Sequence, residues 1–219
     1  NSQMGLLTTI AWGLENKVTY ALEGSIFIAG SAVQWIRDNL GIISCSAESE
    51  TLATSIDSND GVYFVPGFVG LGTPHWDTQV RGTFFGLTRG SNKAHIARAV
   101  LESMCYQVKE VLDVMEIDSG LKMKHIRVDG GATVNNFLLQ YQSDMLGIEV
   151  IRPQITETTA LGVAYLAGLQ VGIWKGMEDI CTHHTIDKTF YPQMSPEESN
   201  RNFNNYKRAV AAAKSFKAK

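Results

Sequence analysis

"HIRVDGGATVNNFLLQ", residues 125–140, sets two adjacent glycines between a strand and a helix. "HIRVD" has strand composition, and Phe137, Leu138, Tyr141, Met145 and Leu146 recur at the steps that one helix face requires. A strand running through a glycine turn into a helix is the unit of an α/β sheet, where ligands bind beyond the carboxyl ends of the strands. Gly130 and Gly131 can take positive φ and carry no Cβ, so a flat ligand or a phosphate can approach the backbone. Free N–H groups in the next helix's first turn suit an anion. Asn135 and Asn136 each add a carboxamide that donates and accepts, which suits a ribose or a base edge. The competing reading is a tight turn with asparagines near a helix start. Neither G-x-x-x-x-G-K-[ST] nor G-x-G-x-x-G occurs, so a P-loop is excluded and a Rossmann site has no support.

"EGSIFIAGSAVQW", residues 23–35, repeats the arrangement. Gly30 opens a helix that carries Gln34 one turn in. Two glycine-plus-amide helix starts suit two walls of a nucleotide cleft. The bland alternative makes Gly30 a spacer and Gln34 solvent-facing.

Around these turns the chain reads as a hairpin followed by strands alternating with helices. "LLTTIAW" and "KVTYAL" form the hairpin, with Gly13–Asn16 as a four-residue loop. Blurred alternation in the first strand predicts cover on both its faces. Val33, Ile36 and Leu40 mark a helix ended by Gly41, and "SAESETLATSI" a second, short one. "GVYFVPGF" reads as a strand, and the glycine-rich "VGLGTPHWDTQVRG" as loop. The spacing from Lys93 to Met115 predicts a helix of about six turns. "IEVIRP" is a strand stopped by Pro153, and "ETTALGVAYLAGLQVG" a helix whose small residues let another backbone come close. Ser195, Pro196 and Glu198 announce the start of a C-terminal helix with a basic, solvated end. The order points to a mostly parallel sheet after an antiparallel start.

The composition, 44% apolar and 19% charged over 219 residues, is that of a globular protein able to bury a core. A net charge of −3 argues against a nucleic-acid partner. Cys45, Cys105 and Cys181 match neither a disulfide framework nor a zinc spacing, which favours a reducing, cytoplasmic location. No apolar run is long enough to span a bilayer, and no large exposed apolar stripe is visible. A first residue of Asn1, with strand pattern almost at once, points to a piece of a longer chain.

Four stretches together resemble the FGGY carbohydrate kinases. "GTFFGLTRGSNKAHIARAVLE" fits that family's second signature: Gly82, Gly86 and Leu87, then His95, Ile96, Ala99, Val100, Leu101 and Glu102. "GLGTPHWD" looks like a loop of the glycerol-phosphorylating members, with His75 replacing a tyrosine. "RVDGGATVNNFLLQYQSDMLG" with "ETTALGVAYLAG" completes the likeness, which covers all but about the last ten residues. The resemblance implies an α/β domain of the actin-like ATPase, ribonuclease H-like type, a mixed sheet flanked by helices. It makes residues 1–219 the C-terminal nucleotide-binding half of a two-domain kinase. It implies ATP and Mg2+ as cofactors, glycerol as acceptor, no membrane span and a possible homo-oligomer. Family ATP contacts fall on Gly30, Gln34, Gly131 and Asn135, the positions that local chemistry had nominated. The catalytic aspartate, the glycerol-contacting side chains and a phosphate loop belong to the other half, so this chain holds no catalytic residue and no turnover of its own. The alternatives are a kinase for another polyol or sugar such as xylulose, a non-catalytic actin-like nucleotide module, and a structural domain without a ligand.

Other residues invite lesser readings. Asp129 either faces magnesium through water or caps the glycine turn, and Glu23 either orients the cleft or satisfies backbone donors. His183 and His184 have only Asp179 as a companion at metal-ligand spacing, and as adjacent residues their side chains diverge, so they read as surface. His95 belongs at a helix start, and Trp76 in a core or an interface.

Overall fold

The computed structural model describes residues 2–14 and 16–216. In chain order the elements are β1 (Leu7–Leu14), β2 (Lys17–Glu23), α1 (Gly30–Asp38), α2 (Glu48–Thr54), β3 (Tyr63–Val65), β4 (Thr83–Phe85) and α3 (Lys93–Ser119). They continue as β5 (His125–Arg127), a 3-10 turn (Gly131–Val134), α4 (Asn136–Leu146), β6 (Glu149–Pro153), α5 (Thr158–Gln170), α6 (Met177–Thr182), β7 (Ile186–Phe190) and α7 (Pro196–Ser215).

The 27-residue helix α3 is the axis of the core. Asn92 caps it by accepting from the Ala94 N–H, and the His95 ring accepts from the Asn92 N–H in return. That reciprocal box satisfies donors that a helix start leaves open. His95 is thus placed by capping, with its other ring nitrogen 3.1 Å from Asp60. Ala97, Val100, Leu101 and Met104 on α3 are buried against residues of α1, α2, β3, α4 and α7. Each fully buried Val or Leu contributes about 1.5–3 kcal/mol. The predicted end at Met115 falls one turn short, because the last turn carries the exposed Ile117 and leaves no periodic signal. Gly120, at φ 69°, ends the helix.

Where α3 meets α7 the core is polar at its centre. Glu102, 2% exposed, accepts from Arg98 at 2.8 Å, from Asn59 at 2.7 Å and from the Tyr106 hydroxyl at 3.2 Å. Tyr106 and Tyr141 stand 2.6 Å apart through their hydroxyls. Burial pushes the Glu102 carboxyl above the ordinary carboxylate range, against the pull of Arg98.

The sheets differ from the sequence expectation. Among the described residues only β5 and β6 pair in parallel, while β1–β2, β3–β4 and β6–β7 are antiparallel. The mostly parallel sheet is therefore corrected to a mixed arrangement of two hairpin-like pairs and the three-stranded order β5-β6-β7. The three-residue β4 is too short to show periodicity, and the edge strand β7 exposes most of its side chains. Leu139 of α4 packs on Val150 and Phe190, covering one face of that three-stranded sheet.

The hairpin is also corrected. Gly13 and Leu14 belong to the strand rather than to a loop, pairing with Val18 and Lys17, and Ala11 forms a bulge between Ile10 and Trp12. Both faces are exposed rather than covered: Ile10, Trp12, Val18 and Tyr20 lie open, an apolar surface not visible in the sequence pattern. Helix α5 likewise buries only Gly168, whose bare Cα admits the Trp174 ring, and Ala160, Ala164 and Ala167 remain exposed. Trp76 is not core. It is 43% exposed, donating through its indole N–H to the Gly5 carbonyl at 2.8 Å. α7 begins as read, with the Ser195 hydroxyl accepting from Glu198 N–H and Pro196 in the first turn.

Gly86 sits at φ 78°, and a Cβ there would collide with the Gly61 carbonyl oxygen. Gly86→Ala should therefore destabilise the protein by about 3 kcal/mol or more, read as the midpoint of urea unfolding. Glu102 predicts a pH effect. A raised carboxyl pKa stabilises the native state fully below its ordinary value of 4.5, and this contribution is lost as pH rises through the native value. Glu102→Gln removes that titration, so the variant's stability relative to the parent should improve as pH is raised from the ordinary value of 4.5 through the higher native one. A flat difference across that range contradicts the assignment.

Candidate functional site

The loops at the carboxyl ends of the parallel strands β5 and β6 are tied together. Gly130, at φ 84°, donates its N–H to the Thr156 carbonyl at 2.8 Å, and the Thr158 hydroxyl at the head of α5 bonds the Asp129 carboxylate. Asp129 therefore closes the turn against the neighbouring loop. The chain then enters the 3-10 turn, whose first N–H groups, on Gly131 and Ala132, meet no acceptor among the described residues.

The second glycine start lies against the first. Helix α1 begins at Gly30 without a side-chain cap, and the Gly30 and Ser31 N–H groups likewise meet no acceptor among the described residues. The segment before it is held to the core by Gln107, whose amide donates to the Ile28 carbonyl at 3.0 Å. A Cβ built on Gly30 would stand 3.6 Å from the Ala132 Cβ, ordinary van der Waals contact. The same construction at Gly130 or Gly131 meets nothing within 4 Å. Two helix starts thus abut with unused donors, and the backbone of the glycine pair opens onto free space. Gln34 is exposed one turn into α1.

Asn135 behaves differently from an exposed contact residue. It is 8% exposed, its Oδ1 accepts from the Leu138 N–H at 2.9 Å to cap α4, and its Nδ2 donates to Ser49 at 3.3 Å. One amide hydrogen and one lone pair are left over. Asn136 is a bridge: its Nδ2 donates to Glu50 at 3.2 Å and its Oδ1 accepts from Arg152 at 3.3 Å. Ser49, Glu50 and Arg152 escape a reading of the sequence, since none has a motif or periodic signal. Only the preference of asparagine for helix caps hinted at what the pair does.

Glu23 is exposed at the end of β2, and His183 and His184 are exposed beyond α6. Among the described residues no three His, Cys, Asp or Glu side chains gather as a cation site.

The fold is that of an actin-like ATPase domain, and at its Gly130–Gly131 turn the backbone lies open. The profile described as "FGGY family of carbohydrate kinases, C-terminal domain" matches residues 1–171, and the chain belongs to that family. It is 60% identical over 216 residues to the glycerol kinase of Geobacillus sp. (strain WCH70) and 57% identical to that of Bacillus subtilis (strain 168). These alignments cover 99% of the chain and 44% of each relative, so the chain spans less than half their length. Among solved structures it is similar to Plasmodium falciparum glycerol kinase with ADP, at TM-score 0.88 and 34% identity over 97% of the chain and 42% of that structure. The ligand-bound xylulose kinase of Lactobacillus acidophilus, at TM-score 0.78 and 21% identity over 95% and 42%, shares the fold.

Because a side chain at position 131 enters open space, Gly131→Val should fold with an unchanged melting temperature and yet weaken ATP about tenfold or more by blocking close approach. Calorimetric binding equal to the parent's would remove this turn from the site.

Proposed function

We propose that residues 1–219 form the C-terminal nucleotide-binding domain of a glycerol kinase, and that the whole enzyme transfers the γ-phosphoryl group of MgATP to glycerol. The observation that carries the reading is the abutment of Gly30 with Ala132 beside the open backbone of Gly131. Identity of 57–60% to named glycerol kinases along nearly the whole chain supports the acceptor.

In this reading the chain's work is positional. Gly30 and Gly131 admit the nucleotide to the backbone, and their free N–H groups favour its anionic part. Gln34 offers an exposed carboxamide from the first full turn of α1. Asn135 contributes the shape of the turn, together with its remaining amide hydrogen. Phosphoryl transfer also needs an in-line hydroxyl, a base for its proton and magnesium on the phosphates. The described residues do not assemble those, so the remaining part of the enzyme supplies them. Closure over the nucleotide would exclude water and limit wasteful ATP hydrolysis. The exposed apolar hairpin β1–β2 is a surface available to that remaining part or to a second subunit. Use of ATP goes with a cytoplasmic location.

The test is phosphorylation by the full-length protein across a panel of polyols and sugars, glycerol and xylulose included, at saturating MgATP. Glycerol should show the highest kcat/KM. A faster turnover of another acceptor would reassign the substrate, and ATP binding without any transfer would make the protein a non-catalytic nucleotide module.

A further inference from the structure

The 3-10 turn that carries Gly131 has only four residues, and so short a helix is marginal on its own. Something outside it must hold its shape. The structure supplies that support from the neighbouring strand. Arg152 on β6, whose side chain is 14% exposed, donates through Nη1 to the Thr133 carbonyl at 2.8 Å and to Asn136 Oδ1 at 3.3 Å. Its Nε donates to the Asp187 carboxylate of β7 at 2.6 Å, and its guanidinium carbon lies 5.6 Å from the centre of the buried Phe190 ring. The cation therefore stands at the carbonyl end of the short turn, where helix carbonyls attract positive charge. The opposite end, with the free Gly131 and Ala132 N–H groups, is left to a ligand. Asn136 passes the restraint onward to Glu50 of α2, so the turn is gripped from the sheet and from the helical layer together.

We propose that Arg152 is a positioning residue for the nucleotide: by bonding the Thr133 carbonyl and Asn136 it fixes the glycine turn in the form that presents its free N–H groups. This rests on the reading of that turn as a nucleotide wall. Chain neighbours apart, no atom among the described residues, Arg152 included, comes within 4 Å of a Cβ built on Gly131, so the effect of Arg152 passes through the turn. A fork of donors is needed to reach Asp187, Thr133 and Asn136 at once, and lysine cannot reproduce it.

The experiment compares the full-length protein with Arg152→Met, Arg152→Lys and Asp187→Ala, measuring ATP affinity by calorimetry and KM for ATP, KM for the acceptor and kcat separately. Arg152→Met should raise the ATP Kd and KM about tenfold while leaving the acceptor KM and the kcat at saturating ATP within about twofold. Arg152→Lys should recover only part of the loss, and Asp187→Ala, which frees the guanidinium from its anchor, should lose less than Arg152→Met. Unchanged ATP affinity in Arg152→Met overturns the proposal, as does a loss that falls equally on kcat and the acceptor KM. If Arg152→Met does not fold, Arg152→Lys and Asp187→Ala decide: a selective rise in KM for ATP supports the role, and its absence ends it. Failure of the parent protein to bind ATP would instead remove the underlying reading of the site.

Discussion

The carboxamide of Asn136 is the joint on which the glycine turn depends. Glu50 accepts from one end of it and Arg152 donates to the other, so the amide has a single orientation that satisfies both partners. A cation and an anion on opposite sides make both bonds charge-assisted, which are the stronger kind. Through this one side chain the layer containing α2 is fastened to the strands β6 and β7. Arg152 also donates to the Thr133 carbonyl, so the turn between Gly130 and Asn135 is held to β6 beside that joint.

The core serves the same end at a greater distance. α3 is packed on α1, α2, α4 and α7, so it sets the spacing between the two helix starts that face each other at Gly30 and Ala132. Gln107 of α3 holds the segment ahead of α1 by its backbone, and Arg98 donates to the carbonyls of Ala53 and Ile56 at the end of α2. Polar groups buried this way cost free energy unless each finds a partner. Here they are partnered with backbone, which converts their burial into geometric definition. The site is consequently built on helices braced by a common axis, with loops supplying only the open glycines.

Several elements were legible because their signals are local. The α3 periodicity, the Ser195–Pro196–Glu198 start of α7 and the strand–glycine–helix run at 125–140 each lie within a single window of sequence. The three-residue β4, the edge strand β7 and the antiparallel return to β6 were not, since short or exposed strands carry little periodicity. The hairpin was misjudged for a related reason. Residues such as Ile10, Trp12 and Tyr20 indicate that a surface is apolar, whereas whether anything covers it is a property of the assembled chain.

For the site, the amino-acid order alone determined where backbone could be bared: glycine at 30, 130 and 131, and helix starts directly after them. Those are consequences of side-chain absence and of terminal N–H groups, which need no distant partner. Tertiary structure decided that the two starts meet, that Asn135 and Asn136 are spent largely on the protein itself, and that Arg152 braces the turn. Apart from the local cap that Asn135 gives Leu138, these bonds link residues 16 to 86 positions apart, and only the closed fold brings their atoms within reach.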